Sequence, residues 1–283
     1  MLRYGVICAL EELAADYPVT LRGGLPVVLD EAARCGFEAV ELHIRNPLQY
    51  ESEEFLAAAK TRGLAYAGIS TGLEYMLGGL SLISDDANVR KAAVRRLKEH
   101  VSFADAIGAP SVCVGSMRSN IPDPERSGLC KGWLAEGLAE AADFAAPKGI
   151  IICIEAINHT WANYLCSVPE TLEYIRGVGH PSLKIHIDTY QMSFEDPDLR
   201  EAIISCKGML GHVHFSDDNR GVPGAGSIDF SAAAKALRDI SYDGFVVIES
   251  YGYKLGCPDV RISLDMLRDN EKNMLAPAWI PEV

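Results

Sequence analysis

Four side chains that can bind a metal ion stand at the ends of short apolar runs in the second half of the chain. They are Glu155, Asp188, His214 and Glu249. Carboxylate oxygens with one imidazole nitrogen, and no thiolate, suit Mn²⁺, Co²⁺ or Mg²⁺, with Zn²⁺ as a further candidate in the purified protein. Because unpaired charge beside a buried strand is costly, the set predicts a site for one divalent metal ion rather than four solvated side chains.

The segments that would position these residues alternate between two periods. Short β-rich runs predict eight strands, at residues 4–7, 37–42, 64–69, 111–114, 150–154, 183–187, 212–215 and 245–248. Helical periodicity lies between them, at residues 24–35, 53–62, 89–107, 134–146, 169–178 and 230–240, with a short piece near 199–204. No Gly-x-Gly-x-x-Gly follows the first strand, so the pattern favours an α/β fold of the (β/α)8 TIM barrel type over a nucleotide-binding sheet. We expect one domain over residues 1–283.

A barrel of this kind would bring the four metal-competent residues to one place. Glu155 follows the fifth predicted strand, Asp188 follows the sixth, His214 lies in the seventh and Glu249 follows the eighth. The carboxyl ends of barrel strands open together onto the face where active sites form. Four consecutive strands are therefore each predicted to deliver one ligand at the same level.

Around these residues the sequence resembles a known family, the xylose-isomerase-like barrels, and within it the ketose 3-epimerases related to D-tagatose 3-epimerase. The matching segments are IEAIN at 154–158, IDTYQM at 187–192, HVHFSDDNR at 212–220, PGAG at 223–226 and VIE at 247–249. The resemblance covers the carboxyl-terminal half closely. The amino-terminal half agrees only in its alternation of strands and helices.

The resemblance implies a metal-dependent sugar isomerase or epimerase that acts on a ketose or a related polyol ketone. Glu155, Asp188, His214 and Glu249 would hold the metal, and Glu155 and Glu249 would also be the catalytic acid and base. Two carboxylates on opposite sides of a ketose can exchange a proton through an enediolate that the metal stabilises. Arg220 would contact the substrate, although a surface ion pair with neighbouring aspartates is its alternative interpretation.

Two departures from the family pattern concern the substrate. Gln191 stands where these epimerases usually carry a histidine, and Trp161 stands where a carboxylate is expected. An aromatic ring in place of a charge suggests a less polar sugar terminus, as in a cyclic or deoxy sugar. The candidate substrate contacts are Arg220, Gln191, Asn158, Trp161 and His186.

Further polar residues fall on strands that face the same site. Glu41 and His43 share one face of the second predicted strand, where they either reach the pocket or form a polar layer behind it. His186 and His212 each precede a metal ligand by two residues, so they point inward one layer deeper. We interpret these two histidines as supporting or core residues rather than metal ligands.

The amino-acid composition and net charge limit the classes of molecule that this protein can bind. The 283 residues carry 26 basic and 39 acidic side chains, a net charge of −13 and a pI near 5.0. Such a charge opposes binding to nucleic acid or to an anionic membrane surface, so a small sugar substrate is expected instead. The amino terminus lacks a signal-peptide pattern and the eight cysteines are scattered, which predicts reduced thiols and a cytoplasmic protein. The sequence leaves open whether the chain forms a homodimer or a homotetramer.

Three other functions are consistent with parts of this pattern. An inosose dehydratase-type lyase could use the same metal site and expel a hydroxyl group instead of returning a proton. A hydrolase of the apurinic endonuclease kind is disfavoured, because its trinuclear site needs more histidines at the ends of the early strands, and this chain has only seven histidines and no basic groove. A non-catalytic sugar- or metal-binding barrel would have no need for paired carboxylates.

Overall fold

Eight parallel strands close into one barrel. The structure is a computed structural model that describes residues 1–14, 17–251 and 260–275. The strands are β1 Arg3–Ala9, β2 Ala39–His43, β3 Ala65–Ser70, β4 Ser111–Val114, β5 Ile151–Glu155, β6 Leu183–Asp188, β7 Leu210–Phe215 and β8 Phe245–Ile248. They pair in chain order, and pairing of β1 with β8 closes the barrel. The predicted (β/α)8 TIM barrel is confirmed.

Ten α-helices cover the barrel in the described residues. They are α1 Leu25–Cys35, α2 Ser52–Lys60, α3 Gly72–Met76, α4 Ala87–Ile107, α5 Ser127–Ala145, α6 Val168–Val178, α7 Thr189–Glu195, α8 Leu199–Ser205, α9 Phe230–Asp239 and α10 Val260–Leu275. All predicted helices are present, but α5 begins seven residues earlier than the sequence pattern indicated. Gly128 and Gly132 weaken the helical signal of its first turns. The short helices α3 and α7, and the longer α10, were not predicted.

Alternation along the strands separates an apolar outer layer from a polar interior. In β7, Val213 and Phe215 join the main hydrophobic core under the helices, whereas His212 and His214 contact Glu41 inside the barrel. A smaller apolar cluster comes from β1, β2, β3, β8 and the segment after β1, and it contains Ile7, Ala9, Val19, Ala39, Ala67 and Val247. The sequence therefore places charged and imidazole groups inside the barrel, toward the carboxyl ends of its strands.

A short extension of the sheet positions the segment after β1. Leu21 and Arg22 pair with Cys8 and Ala9 at the end of β1. The Arg22 guanidinium donates to the carbonyl oxygens of Leu13 and Tyr17 at 3.0 and 2.6 Å. This clamp fixes the loop that carries Tyr17 over the mouth of the barrel.

Glycine ends the helices that return the chain to the barrel. Gly36 after α1 and Gly108 after α4 have φ of 90° and 75°, in the left-handed region that side chains with a Cβ disfavour. Each turn sends the chain directly into the next strand. A glycine directly after a helical period is a helix-end signal that can be read from the sequence.

Two expectations from composition can be compared with the structure. The seven cysteines in the described part of the chain are free thiols, as predicted, and Cys257 lies outside it. Among the described helices, none is both long and apolar enough to cross a membrane.

We expect helix α1 to depend on its buried face. Leu29 is fully buried in the main core, whereas Val27 on the same helix is 61% exposed. Leu29→Ala should lower the free energy of unfolding by about 2–5 kcal/mol because it leaves a cavity. Val27→Ala should change it by less than about 0.5 kcal/mol. Denaturant unfolding of both variants checks this, and equal losses would contradict the assigned packing.

Candidate active site at the carboxyl ends of the strands

Three of the four predicted metal ligands converge. Asp188, His214 and Glu249 each offer a ligand atom, and these atoms lie within 4.8 Å of one another. All three side chains are buried, and strands β6, β7 and β8 carry them to the same end of the barrel. A buried set of two carboxylates and one imidazole fits a hard or borderline divalent cation. These residues therefore can hold the metal that the sequence predicted.

Glu155 lies beside this trio rather than within it. It ends β5, lines the same cavity, and its Oε2 atom lies so close to Gly115 that any Cβ at position 115 would collide with it. No hydrogen bond joins its carboxyl group to another residue in the described ranges. Burial, and then the charges of Glu249 and Asp188, raise the pKa of Glu155 to about 8. A cation between these carboxylates would relieve that repulsion.

Arg220 supplies positive charge to the same carboxylates. Its guanidinium pairs with Asp188 and Glu249, and its side chain is 2% exposed. The alternative of a surface ion pair with Asp217 and Asp218 is therefore wrong. Asp217 instead accepts from the backbone of the following loop, and Arg220 itself has φ of 60°. Positive φ is uncommon for a residue other than glycine, and here it occurs at the turn that carries this guanidinium to the buried carboxylates.

The two glutamates expected to act as acid and base are in opposite electrostatic environments. Burial alone would raise the pKa of Glu249, but Arg220 and His214 outweigh it and hold that pKa at about 2. Glu155 is not paired with either cation and has its pKa raised. Environments that push the pKa values of two nearby carboxyl groups apart are typical of acid and base partners.

Glu41 orients His214 from inside the barrel. One oxygen of the fully buried Glu41 lies 2.8 Å from Nε2 of His214 and 2.6 Å from Nε2 of His212. Nδ1 of His214 then faces Glu249 at 3.1 Å, on the metal side. A carboxylate on one ring nitrogen fixes the tautomer and leaves the other nitrogen for a metal. Of the two interpretations that the sequence left open for Glu41, the structure shows the polar layer behind the pocket.

Asp188 has a second role at the start of α7. Its Oδ1 accepts a hydrogen bond from the backbone N–H of Tyr190 at 2.9 Å, so Asp188 is the N-cap of that helix. Its other oxygen faces Arg220. One side chain therefore joins the metal-competent trio to the helix that carries Gln191.

His186 lies beneath the trio. Its ring is 4.2 Å from that of His214 and 5.0 Å from that of His212, and it is 1% exposed. Neither ring nitrogen of His186 has a partner in the described chain, and burial holds its pKa well below the usual value. It lies one layer below the cavity and is not among the lining residues. Its suggested role as a substrate contact stays a prediction.

The remaining predicted substrate contacts occupy two layers. Gln191 and Trp161 line the cavity together with Arg220. Asn158 is fully buried and donates to the Gln191 side-chain oxygen from both its backbone and its side chain, at 3.1 and 2.5 Å. Asn158 therefore positions Gln191. The Trp161 ring is 43% exposed and lies 5.8 Å from the Arg220 guanidinium carbon.

The cavity has a volume of about 560 Å³, and several of its walls come from residues that the sequence analysis did not select. They include three tyrosines and a buried arginine: Tyr17, Tyr75, Arg118 and Tyr251. These residues lie in the segments that follow β1, β3, β4 and β8, and Tyr75 is in the short helix α3. Their positions just after predicted strands were the only available signal, because loop residues follow no period. Aromatic walls with a few polar groups are typical of small-molecule sites.

The fold and the site define a class, and comparison identifies it. The chain belongs to the xylose isomerase-like TIM barrel family, whose family model matches residues 29–270. Among its relatives is a ketose 3-epimerase from Arthrobacter globiformis, 31% identical over 88% of this chain and 86% of that protein. Another is a D-psicose 3-epimerase from Ruminiclostridium cellulolyticum, 35% identical over 88% of this chain and 84% of that protein.

A solved structure agrees in fold. The crystal structure of a D-psicose 3-epimerase in the presence of D-fructose superposes with a TM-score of 0.80 and 23% identity, covering 95% of this chain and 99% of that one. The resemblance read from the sequence motifs is confirmed. The relatives are isomerase-class enzymes, which also confirms the predicted enzyme class.

We expect the metal-free protein to lose stability as pH rises from about 6.5 to 8. Between about pH 4.5 and 8 the folded state holds a proton on Glu155 that the unfolded chain releases. Raising the pH through this window therefore removes stability, and Glu155→Gln should flatten the trend. Thermal melts in chelator check this.

Adding Mn²⁺ should raise the melting temperature more near pH 8 than near pH 6.5, because carboxyl groups bind metal in their deprotonated form. A chelator-insensitive melt would argue against the site.

We also expect Glu41→Gln to weaken metal binding by about 10- to 100-fold, because the substitution removes the carboxylate that holds the His214 tautomer. Titration calorimetry with Mn²⁺ measures the change. Glu271→Gln is the matched control, since Glu271 is equally buried but bonds Tyr4 and the Leu2 backbone at the other end of the barrel. Equal losses in the two variants would mean that Glu41 acts only through stability.

Proposed function

We propose that this protein is a divalent-metal-dependent ketose 3-epimerase. The observation that carries the proposal is the pair Glu155 and Glu249, which stand three strands apart at one cavity with their pKa values displaced in opposite directions. Inverting a carbon next to a carbonyl needs one group to take a proton and another to supply one. The names of the relatives, ketose and D-psicose 3-epimerases, support the same reaction.

Each residue has a defined task in this proposal. Glu249 is ionised and removes the proton from the carbon beside the carbonyl, while Glu155 returns a proton to the opposite face of that carbon. One C–H bond breaks and one forms, so the sugar keeps its oxidation level and its configuration inverts. At the end of the step Glu249 is protonated and Glu155 is ionised. Proton exchange with solvent restores the starting protonation states. In the reverse direction Glu155 is the base.

Arg220 stabilises negative charge on the reacting oxygens, and a bound metal would add to this stabilisation. The guanidinium is already held between Asp188 and Glu249, so it can turn a donor toward substrate oxygens without leaving the site. Asp188, His214, Glu249 and Glu155 would hold a divalent cation, which would supply Lewis acidity toward a substrate carbonyl. We propose Mn²⁺, Co²⁺ or Mg²⁺ as that cation, with Zn²⁺ as the further candidate. The cytoplasmic location and the homodimeric or homotetrameric assembly stay predictions.

The test is exchange with solvent during turnover. The metal-loaded protein is incubated with D-psicose and with D-fructose in D₂O, and the products are resolved by chromatography and mass spectrometry. A 3-epimerase interconverts the two sugars and introduces one deuterium at C3. Loss of water from the sugar would indicate the lyase instead. Binding of either sugar without exchange or conversion would support a non-catalytic barrel and overturn the proposal.

Each of the two glutamates should be individually necessary. Glu155→Gln and Glu249→Gln should each lower kcat by about 10²–10⁴-fold, since each removes one general acid–base group. Both variants should still bind Mn²⁺, although more weakly. Glu195→Gln is the control, because Glu195 pairs with His159 and does not line the cavity. If Glu249→Gln exchanges deuterium at the wild-type rate, a single-base shuttle through Glu155 must replace the two-base mechanism.

A further inference from the structure

We propose that three aromatic side chains at the mouth of the cavity form a stacking platform for a second sugar ring. The substrate would then be a ketose that carries a glycosyl group on the end remote from its reacting carbons. The inference rests on the proposed function for the reaction and names a substrate class larger than a free ketose. The platform consists of Trp161, Tyr190 and Phe194.

Two rings of the platform are exposed to a degree that sets them apart. Trp161 and Phe194 are each 43% exposed. Every other Phe, Trp or Tyr within residues 1–14, 17–251 and 260–275 is buried or half-buried. Single exposed apolar residues are ordinary, but a group of exposed rings beside a cavity is typical of a binding surface.

The three rings form one continuous row. The ring centroid of Trp161 lies 6.0 Å from that of Tyr190, and the ring centroid of Tyr190 lies 5.1 Å from that of Phe194, with 69° between the latter two planes. Edge-to-face pairs at such distances stabilise each other. Trp161 and Phe194 are therefore the two ends of one surface, joined by the half-buried Tyr190.

The row leads outward from the candidate reacting centre. The guanidinium carbon of Arg220 lies 4.8 Å from the ring centroid of Tyr190 and 5.8 Å from that of Trp161. Trp161 lines the cavity, but Phe194 is not among its described lining residues. The cavity, about 560 Å³, already has a size that suits drug-sized ligands. A molecule that contacts both Arg220 and Phe194 must extend beyond the cavity.

Hydrogen bonds fix the backbone that carries the rings. The N–H of Trp161 donates to the Asn158 carbonyl oxygen at 3.0 Å, and the Trp161 carbonyl oxygen accepts from the Asn120 side chain at 3.2 Å. The other two rings are on α7, and Asn158 also donates to Gln191 of that helix. Binding to a surface that is already ordered costs little conformational entropy, so stacking can contribute directly to affinity.

The chemistry of the row suits a sugar ring. The C–H groups on the face of a pyranose carry slight positive charge, which matches the negative face of an aromatic ring. The hydroxyl groups at the edge of the sugar need donors and acceptors. Asn120 lines the cavity, and its exposed amide uses only one donor and one acceptor site within the described chain. The second of each stays available to a hydroxyl group.

The test compares ketoses with and without a second ring, using metal-loaded protein. The probes are D-fructose, isomaltulose and maltulose, the last two being fructose with a glucosyl group on O6 or O4. Deuterium uptake at C3 in D₂O gives kcat/KM, and titration calorimetry gives Kd. For at least one disaccharide, wild type should have a kcat/KM at least about 10-fold above that for D-fructose, as expected for two stacking contacts.

Variants at Phe194 test the outer end of the platform. Phe194→Ala should reduce the preference for the disaccharide over D-fructose by about 3- to 10-fold, whereas Phe194→Tyr keeps a ring and should retain it. A ratio of two substrates does not depend on how much of the protein is folded. Leu129→Ala is the control, because Leu129 is 50% exposed on α5 and does not line the cavity.

A second copy of the chain is the alternative occupant of these rings. Sedimentation velocity of wild type and Phe194→Ala tests it. An unchanged oligomeric state together with a reduced disaccharide preference supports the platform. If Phe194→Ala dissociates an oligomer, or if it leaves the disaccharide preference of wild type intact, the inference is overturned.

The outcomes distinguish this inference from the proposed function. If wild type epimerises D-psicose but prefers neither disaccharide to D-fructose, the inference fails and the proposed function stands. If wild type binds a disaccharide more tightly than D-fructose, Phe194→Ala reduces that difference, and no deuterium enters any sugar, the proposed function fails and the platform stands. If wild type binds none of the sugars, both fail.

Discussion

The structure depends on compensating several carboxylates buried at one end of a barrel. Glu41, Asp188 and Glu249 are buried in or just below the cavity, and the half-buried Glu155 lies in its wall, so water screens these charges from each other only weakly. Arg220 and His214 offset part of this charge, and Glu155 retains the excess as a raised pKa. A divalent cation would offset the remaining negative charge. The same imbalance of charge displaces the pKa values of Glu155 and Glu249 in opposite directions.

The strands position the metal-competent residues, whereas the segments that follow them form the cavity walls. The metal-competent residues come from β5 to β8, and Glu41 from β2, so the barrel itself fixes their spacing. Tyr17, Tyr75 and Trp161 come from segments that follow the strands and form the walls around the reacting centre. Rigid elements give precision to catalytic groups, while loops tolerate substitution. Replacement of the family's usual histidine and carboxylate by Gln191 and Trp161 falls in this outer layer, where the substrate's far end would bind.

Much of the fold could be predicted because it follows periods along the chain. Apolar runs followed by Glu155 or Glu249 give both the strand and the residue at its end, and glycine marks the helix ends. The sequence could not decide between the two interpretations of Glu41, because its contact with His214 spans 173 positions and depends on barrel closure. The resemblance implied a substrate contact for Arg220, but the neighbouring aspartates left a surface ion pair as its alternative. The sequence could not decide between them, because the carboxylates that pair with Arg220 lie 29 and 32 positions away along the chain.

Asp188 joins two equilibria in one side chain. One of its oxygens caps α7 and the other faces the cluster that would receive the cation. Because both functions draw on the same carboxylate, formation of α7 and occupancy of the metal site are thermodynamically linked, and the linkage is reciprocal. A ligand that contacts Gln191 would stabilise α7. It would then also favour the position of the Asp188 carboxylate that suits a bound cation. Sugar and metal would then bind cooperatively through seven residues of helix, without any movement of the barrel.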